Sequence, residues 1–353
     1  MAFQKAAGHN NLPNGVFSPT IYSKKVQMTF RKKAIAQDIT NSDYFGEIKN
    51  FGDSVKIIKE PEVNVRPYAR GTKLESQDLE DSDFTLTVDR SNYWQFKVDD
   101  IETSQSHVNW ESMARDRAAY RLADAFDRDI LGYVSGFETA VPGGATWVAR
   151  TAPVGTKAQA SADADELLAE HKLTRGAFTS AGTTTNSIAV GVGGTYDATP
   201  LALLNRMARL LDEQNVDQDG RWIIVDPVFV EILRDEDSKL INNDYAGSQN
   251  AGDQLRNGKI LAGKIRGFDV YQSMNLPKIG NGPGVIANGG SNTNYGVIVA
   301  GHKGAIATAE QMTRTESFRS QETFGDIVRG MHVYGRKILR PESLLRAIYN
   351  ASK

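Results

Sequence analysis

Residues 110–134 read WESMARDRAAYRLADAFDRDILGYV. Ala114, Ala118, Leu122, Phe126, Ile130 and Val134 recur at a spacing of four, and Met113 and Ala125 widen the stripe. That recurrence puts apolar side chains on one face of an α-helix. The other face carries Arg115, Asp116, Arg121, Asp124, Asp127 and Arg128, with Asp124 before Arg128 as a modestly favourable acid–base pair at i,i+4. At ~1.5 Å per residue the helix is a rod of roughly 37 Å, and neither Pro nor Gly interrupts it before Gly132. A repeat of four drifts round a 3.6-residue turn, so the stripe winds and several neighbours can share it. This is a structural spine rather than a catalytic element.

Working upstream, Phe84, Leu86 and Val88 alternate with Thr85 and Thr87, and Trp94, Phe96 and Val98 with Gln95 and Lys97. These are period-two strands with one buried face. Val55 and Ile57 alternate in the same way, and so do Val63 and Val65, between Pro61 and Pro67. The polar stretch Tyr68–Asp83 is too long for a tight turn, so the region predicts a long two-stranded loop reaching away from the core. A projecting hairpin is marginal alone in water; a neighbouring copy of the chain is its natural support. Residues 1–43, rich in Asn, Gly, Pro, Ser and Lys, predict an extended arm with a short basic strand around Val26–Ile35, ordered by a partner.

Downstream, many glycines punctuate 137–198, which predicts an insertion or surface lobe with small strands and a short helix at Asp163–His171. Thr199-Pro200 is an N-cap followed by Pro at the first helical position, and Leu201, Leu204, Ala208 and Leu211 mark a helix face running to about Asn215. After a turn at Asp217–Gly220, the apolar run Arg221–Val225 predicts a buried strand, and Asp226-Pro227 opens a helix that buries Phe229, Val230 and Leu233. Ile260–Ile265, Gly267–Tyr271, Tyr295–Ala300, Asp326–Tyr334 and Lys337–Arg340 read as further strands, and Pro341–Tyr349 as a terminal helical turn or strand end. Helices and buried strands in alternation make the fold α+β, with an α/β lobe in its second half.

The chain of 353 residues carries a formal charge of −2, 40% hydrophobic residues and no cysteine. A sizeable core follows, while disulfides, thiolate metal sites and Cys nucleophiles are excluded. Nothing resembles a secretory h-region or a membrane span of ~18 apolar residues. The net charge hides an asymmetry. Met1–Gln37 contains Lys5, Lys24, Lys25, Arg31, Lys32 and Lys33 and no acid, whereas Thr72–Glu102 contains nine acids against three bases. Two readings follow: two independently solvated segments, or a basic arm that lies near the acidic loop of another copy or faces a polyanion.

The search for chemistry is empty. His9, His107, His171, His302 and His332 do not pair at ligand spacing and read as solvated or structural. The Gly-rich runs at 191–194 and 280–284 complete neither a dinucleotide fingerprint nor a phosphate loop. Asp217-x-Asp219-Gly220 is a tight turn, since Arg221 occupies the next ligand position of a calcium loop. No catalytic, cofactor-binding or metal residue is assigned, and no cofactor or membrane is expected. An arm, a projecting hairpin and a long spine all expose surface that wants a partner.

The order of these parts resembles the major capsid protein of tailed bacteriophages, with its Hong Kong 97-like fold. Leu86–Ile101 is similar to the stretch that leaves the family's extended loop and leads into the spine helix. Arg221–Pro227 resembles the strand-to-helix step of its axial domain, and Gly301–Ala307 the helix start after a later strand. The resemblance implies an N-terminal arm (1–43), an extended loop with peripheral-domain strands (44–102), the spine helix of the peripheral domain (103–136) and the Gly-rich lobe (137–198). An axial domain (199–320) and returning peripheral strands (321–353) follow.

It also implies homo-hexamers and pentamers closing an icosahedral shell round double-stranded DNA, in a virion assembled in the host cytoplasm. A separate scaffolding protein, a portal and in some relatives a decoration protein would be partners. Such shells need one surface to engage itself in several settings. The arm bases Lys24, Lys25, Arg31, Lys32 and Lys33 and the loop acids Glu75, Asp78, Glu80, Asp81 and Asp83 are the expected intersubunit contacts, some bases facing packaged DNA. Lys73 reads as a solvated charge. The competing readings are a small-molecule-binding enzyme with its site in the 199–320 lobe, and another virion structural protein.

Overall fold

Every residue from Arg221 to Val225 is buried, the pattern of a strand covered on both faces. In the computed structural model the described residues are 34–43, 54–59, parts of 63–77, 82–105, 110–139, 147–149, 167–175, 178, 187–191, 196–233, 265–279 and 295–351. In chain order they form α1 (Ala36–Ile39), β1 (Ser54–Lys59), β2 (Ser82–Thr87), β3 (Arg90–Asp99), α2 (Asp100–Gln105), α3 (Trp110–Ser135), β4 (Phe137–Thr139), β5 (Trp147–Ala149), β6 (Lys172–Leu173) and β7 (Ile188–Val190). There follow α4 (Pro200–Glu213), β8 (Arg221–Val225), α5 (Pro227–Leu233), β9 (Asp269–Gln272), β10 (Lys278–Ile279), β11 (Tyr295–His302), β12 (Ile306–Arg319), β13 (Gly325–Ile338) and β14 (Leu344–Ala351).

The central mixed sheet runs β6-β14-β11-β8-β9, with β10 beside β11 and β7 beside β14. Its alternation builds two cores. Ile223 and Val225 of β8, Ile298 and Ala300 of β11, and Leu345 and Ala347 of β14 meet Leu204, Met207 and Leu211 of α4 and Phe229 of α5. The other parity, Trp222, Ile224, Val297, Val299 and Leu344, meets Phe126, Ile130 and Val134 of the spine α3. Helices on both faces explain why these strands show no polar alternation. Local signals are met as read. Thr199 Oγ1 accepts from Ala202 N at 3.2 Å, Asp226 Oδ1 accepts from Phe229 N at 3.1 Å, and left-handed Asn215 and Gly220 (φ 56° and 80°) turn the chain from α4 into β8.

Elsewhere the structure departs from the sequence reading. Gly301–Ala307 is no helix start: a single 3-10 turn, Lys303–Ala305, is capped by His302 Nδ1 accepting from Gly304 N at 3.1 Å. The chain then extends into the 14-residue strand β12, because Thr308, Thr313 and Thr315 favour an extended chain and no Gly or Pro breaks the run. The segments 326–334 and 337–340 belong largely to one strand, β13. Val63 and Val65 lie outside any strand and are exposed, and Ile35 is not a strand end but the buried N-cap of α1. The 137–198 stretch is more than a surface lobe, since β6 and β7 run parallel to β14 and bury Leu173, Ile188 and Val190.

Strands β12-β13-β3 form a separate antiparallel sheet, ~46 Å long at ~3.3 Å per residue. The predicted hairpin β1–β2 is present, with Ser54 opposite Thr87, and its Leu86, Val55 and Ile57 pack on Ala307 and Ala309 at the root of β12. β3 does not continue that hairpin; it pairs with β13 from Asp99↔Gly325 to Arg90↔Tyr334. The link between β2 and β3 crosses β13 where a Cβ on Gly335 would lie 2.3 Å from the Thr87 carbonyl oxygen, so only glycine fits.

Candidate assembly surfaces

The second half of the spine is buried on all sides from Phe126 to Val134, apart from half-buried Arg128. That overturns one assignment: Asp127, grouped with the solvated face, is 0% exposed. Its Oδ1 accepts from the amides of Ile35 and Ala36 at 2.7 and 2.8 Å, and its Oδ2 from Asn275 Nδ2 at 2.8 Å. Burial pushes its pKa above the ordinary carboxylate value, the three hydrogen bonds opposing this and the charge of Asp124 adding to it. The signal was in the sequence: Ile130, Leu131 and Val134 lie at i+3, i+4 and i+7 from Asp127, inside a helix turn too apolar to face water.

Asp129 makes the second buried anchor. Its carboxylate pairs with Arg336 of β13 at 2.6 Å and accepts from the Tyr334 hydroxyl at 3.0 Å, while the Arg336 guanidinium also covers the Tyr133 ring at 4.3 Å. Burial raises the Tyr334 pKa and lowers that of Arg336, with the Asp129 charge opposing the latter. Phe126 meets His332 and Tyr334 edge-on at 5.7 and 4.9 Å. One face of the three-stranded sheet is thereby fixed on the spine, with Trp94 stacked on Phe96 at 5.3 Å. A groove of about 570 Å³ remains between β3 and the first half of α3, lined by Asn92, Tyr93, Trp94, Arg121, Leu122 and Arg128 among others.

The opposite face is open. Tyr93 stands opposite Met331 and Lys97 opposite Ile327, and Arg314, Glu316 and Phe318 continue that face on β12. Tyr93 is 80% exposed, and Met331 and Phe318 are also exposed. Between them Glu316 is bonded by Arg329 at 2.9 Å and Arg314 at 2.7 Å, which hold its carboxyl below the usual range; Arg329 also covers the Phe318 ring at 4.8 Å. At the tip of the β12–β13 hairpin Phe324 is 81% exposed, beside Arg319, which bonds Asp100 and lies 3.5 Å from Asp326.

The arm bases Lys24, Lys25, Arg31, Lys32 and Lys33 and the loop acids Glu75, Asp78, Glu80 and Asp81 lie outside the described residues. Asp83 falls in β2, its backbone opposite Ile58. Three histidines are placed and each is structural. His171 is buried with Nδ1 3.0 Å from the Leu344 carbonyl, His302 reaches the Asp219 carbonyl, and His332 stacks on Tyr334. Among the described residues no three acidic or histidine side chains form a metal cluster, and no helix is long and apolar enough to cross a membrane.

The chain is similar in structure to one from Mycobacterium phage Che8, with 22% identity and a TM-score of 0.64 over 97% of this chain and 100% of that one. The capsid of Ralstonia phage GP4 matches at 13% identity and a TM-score of 0.66 over 96% of both chains. The capsid chain of cyanophage Pam1 matches at 13% identity and a TM-score of 0.66 over 99% of both. No curated protein matches in sequence. The fold, a spine packed on a mixed sheet with long hairpins carried beside it, is that of tailed-phage shell subunits. Residues 87–347 match the phage capsid protein family, to which the chain belongs. It is a major capsid protein, a structural component of the virion shell.

Proposed function

We propose that copies of this chain form hexamers and pentamers that close into an icosahedral shell round double-stranded DNA, and that its role includes no catalysis. The observation that carries the reading is the open face of β12-β13-β3, where Tyr93, Phe318 and Met331 stand among charged neighbours. A long sheet with one face anchored and the other uncovered is built for contact with another chain. Arm 1–43, loop 44–102, spine 103–136, lobe 137–198, axial domain 199–320 and returning strands 321–353 are the working parts. The arm bases and the loop acids Glu75, Asp78, Glu80, Asp81 and Asp83 pair between subunits, each exposed pair worth ~0.2–1 kcal/mol and repeated at every contact. Some arm bases contact DNA without regard to sequence, a contact that weakens with salt. A separate scaffolding protein and a portal complete the assembly, which takes place in the host cytoplasm.

The test is expression with and without the genomic neighbours, followed by light scattering and negative-stain imaging. Closed particles tens of nanometres across are expected; a small oligomer of fixed size under every condition would refute the reading. Charge reversal of Glu75, Asp78 and Glu80 to Lys is expected to block assembly while leaving the subunit folded.

A further inference from the structure

α1 begins at an apolar residue, and Ile35 makes no side-chain cap. The two leading amides of this segment are instead satisfied from 91 and 92 residues away by Asp127 Oδ1. The same carboxylate holds Asn275, whose Nδ2 is shared with Asp124 at 2.9 Å and whose own amide is tied to Ser273 Oγ. Asp127 thus joins the root of the arm, the spine and the loop after β9. Six residues on, Asn41 bridges to Ala307, its amide donating to the Ile306 carbonyl at 2.8 Å, so residues 35–41 lie clamped between spine and β12.

A buried carboxylate is costly unless its bonds do something an apolar side chain would not. Among the described residues Asp127 makes no ion pair; it is held by two backbone amides and one side-chain amide. Two of its three bonds go to the point from which residues 1–34 depart.

We propose that Asp127 is a positioning residue for assembly, the anchor that sets where and in which direction the N-terminal arm leaves the subunit. The inference rests on reading 1–43 as an arm that contacts neighbours. Charge-assisted bonds to two consecutive amides fix a direction as well as a position. The hydrophobic burial of Ile35, Ala36 and Ile39 holds the segment down without specifying its heading.

The test uses the full chain as Asp127→Ala, as Asp127→Asn, which keeps an oxygen acceptor, and as a deletion of 1–33. Backbone hydrogen exchange is read at Ile35 and Ala36 against Ile130–Val134 in the unassembled subunit, and shells are imaged after assembly. For Asp127→Ala, exchange at 35–36 should quicken ~10–100-fold, matching loss of a charged hydrogen bond, with 130–134 unchanged and shells replaced by open or malformed particles. Asp127→Asn should restore most of the protection and closed shells, and it carries the test if the Ala variant does not fold. Unchanged protection at 35–36 in Asp127→Ala, or normal shells from it while the deletion fails, would overturn the anchor. Malformed shells from Asp127→Asn with protection intact would overturn it too. Normal shells from the deletion would instead overturn the arm reading on which it rests.

Discussion

The two sheets of this subunit are held by opposite means. In the central sheet, β8 and β11 are buried on both faces and owe their place to apolar contact with α4, α5 and α3. In β12-β13-β3 one face is open, and the other is fixed at its root by buried polar groups, the Arg336–Asp129 pair and the Tyr334 hydroxyl. The first sheet is complete within one chain. The second carries Tyr93 and Phe324 largely in water, the surface proposed above to meet another copy. The comparison separates residues that stabilise a subunit from residues that join subunits.

The largest effect should divide them most sharply. Phe229, fully buried against Tyr349 with ring centroids 5.3 Å apart, should cost about 3–5 kcal/mol as Phe229→Ala in denaturant unfolding of the unassembled chain. Tyr93→Ala should change that stability by no more than ~0.5 kcal/mol yet lower the yield of closed shells. Equal destabilisation by the two would erase the distinction.

Next comes the crossing at Gly335. An added methyl would meet the Thr87 carbonyl, which is backbone and cannot turn aside. Gly335→Ala should therefore cost ~1–3 kcal/mol, as overpacking does, and loosen the hairpin β1–β2 on its root while leaving α4 and α5 intact. Proteolysis confined to 54–87 would show it; protection identical to the parent would mean the crossing can shift.

What was legible in the sequence follows the same divide. The caps at Thr199 and Asp226, the all-apolar β8 and the spine's apolar stripe announce themselves because each buries its residues within this chain. β12 went unread beyond Ala307 because its side chains alternate only weakly: in the outer half Arg314, Thr315, Ser317 and Arg319 are all exposed and no period-two apolar pattern survives. The pairing of β3 with β13, more than 200 residues apart in sequence, has no local mark either. Asp127 was misplaced because charge was read as solvation, although its apolar neighbours on the helix argued otherwise. The intersubunit charges assigned to arm and loop rest on sequence asymmetry alone.

A smaller effect comes from protons. Burial holds the pKa of His171, beside β14, below its ordinary 6.5, hydrogen bonds to backbone carbonyls partly opposing; burial lowers His332, on the open sheet, with Glu310 opposing. Between each lowered value and 6.5 the unfolded chain binds more protons than the folded one, so stability falls as pH drops through that window. His171→Gln and His332→Gln should each flatten the stability–pH curve there. The flattening should be greater for His171, which is almost wholly buried, than for half-buried His332. The reverse order would place the drier environment in the open sheet and weaken the contrast.

The smallest effect on the subunit should come from the hairpin tip, where it tests the comparison from the other side. Arg319 bonds Asp100 and approaches Asp326, so its charge is already answered within one chain. All three are exposed, and at physiological salt such charges are screened within ~8 Å. Arg319→Ala should leave the melting temperature of the unassembled chain unchanged. Assembly is another matter. A bare aromatic beside a cation already paired within its own chain is the better placed of the two to carry a contact. Phe324→Ser should then reduce closed shells more than Arg319→Ala does, though both subunits melt alike. If Arg319→Ala proves the more damaging, its partner in the shell lies on a neighbouring copy, and the tip joins subunits through charge rather than through Phe324.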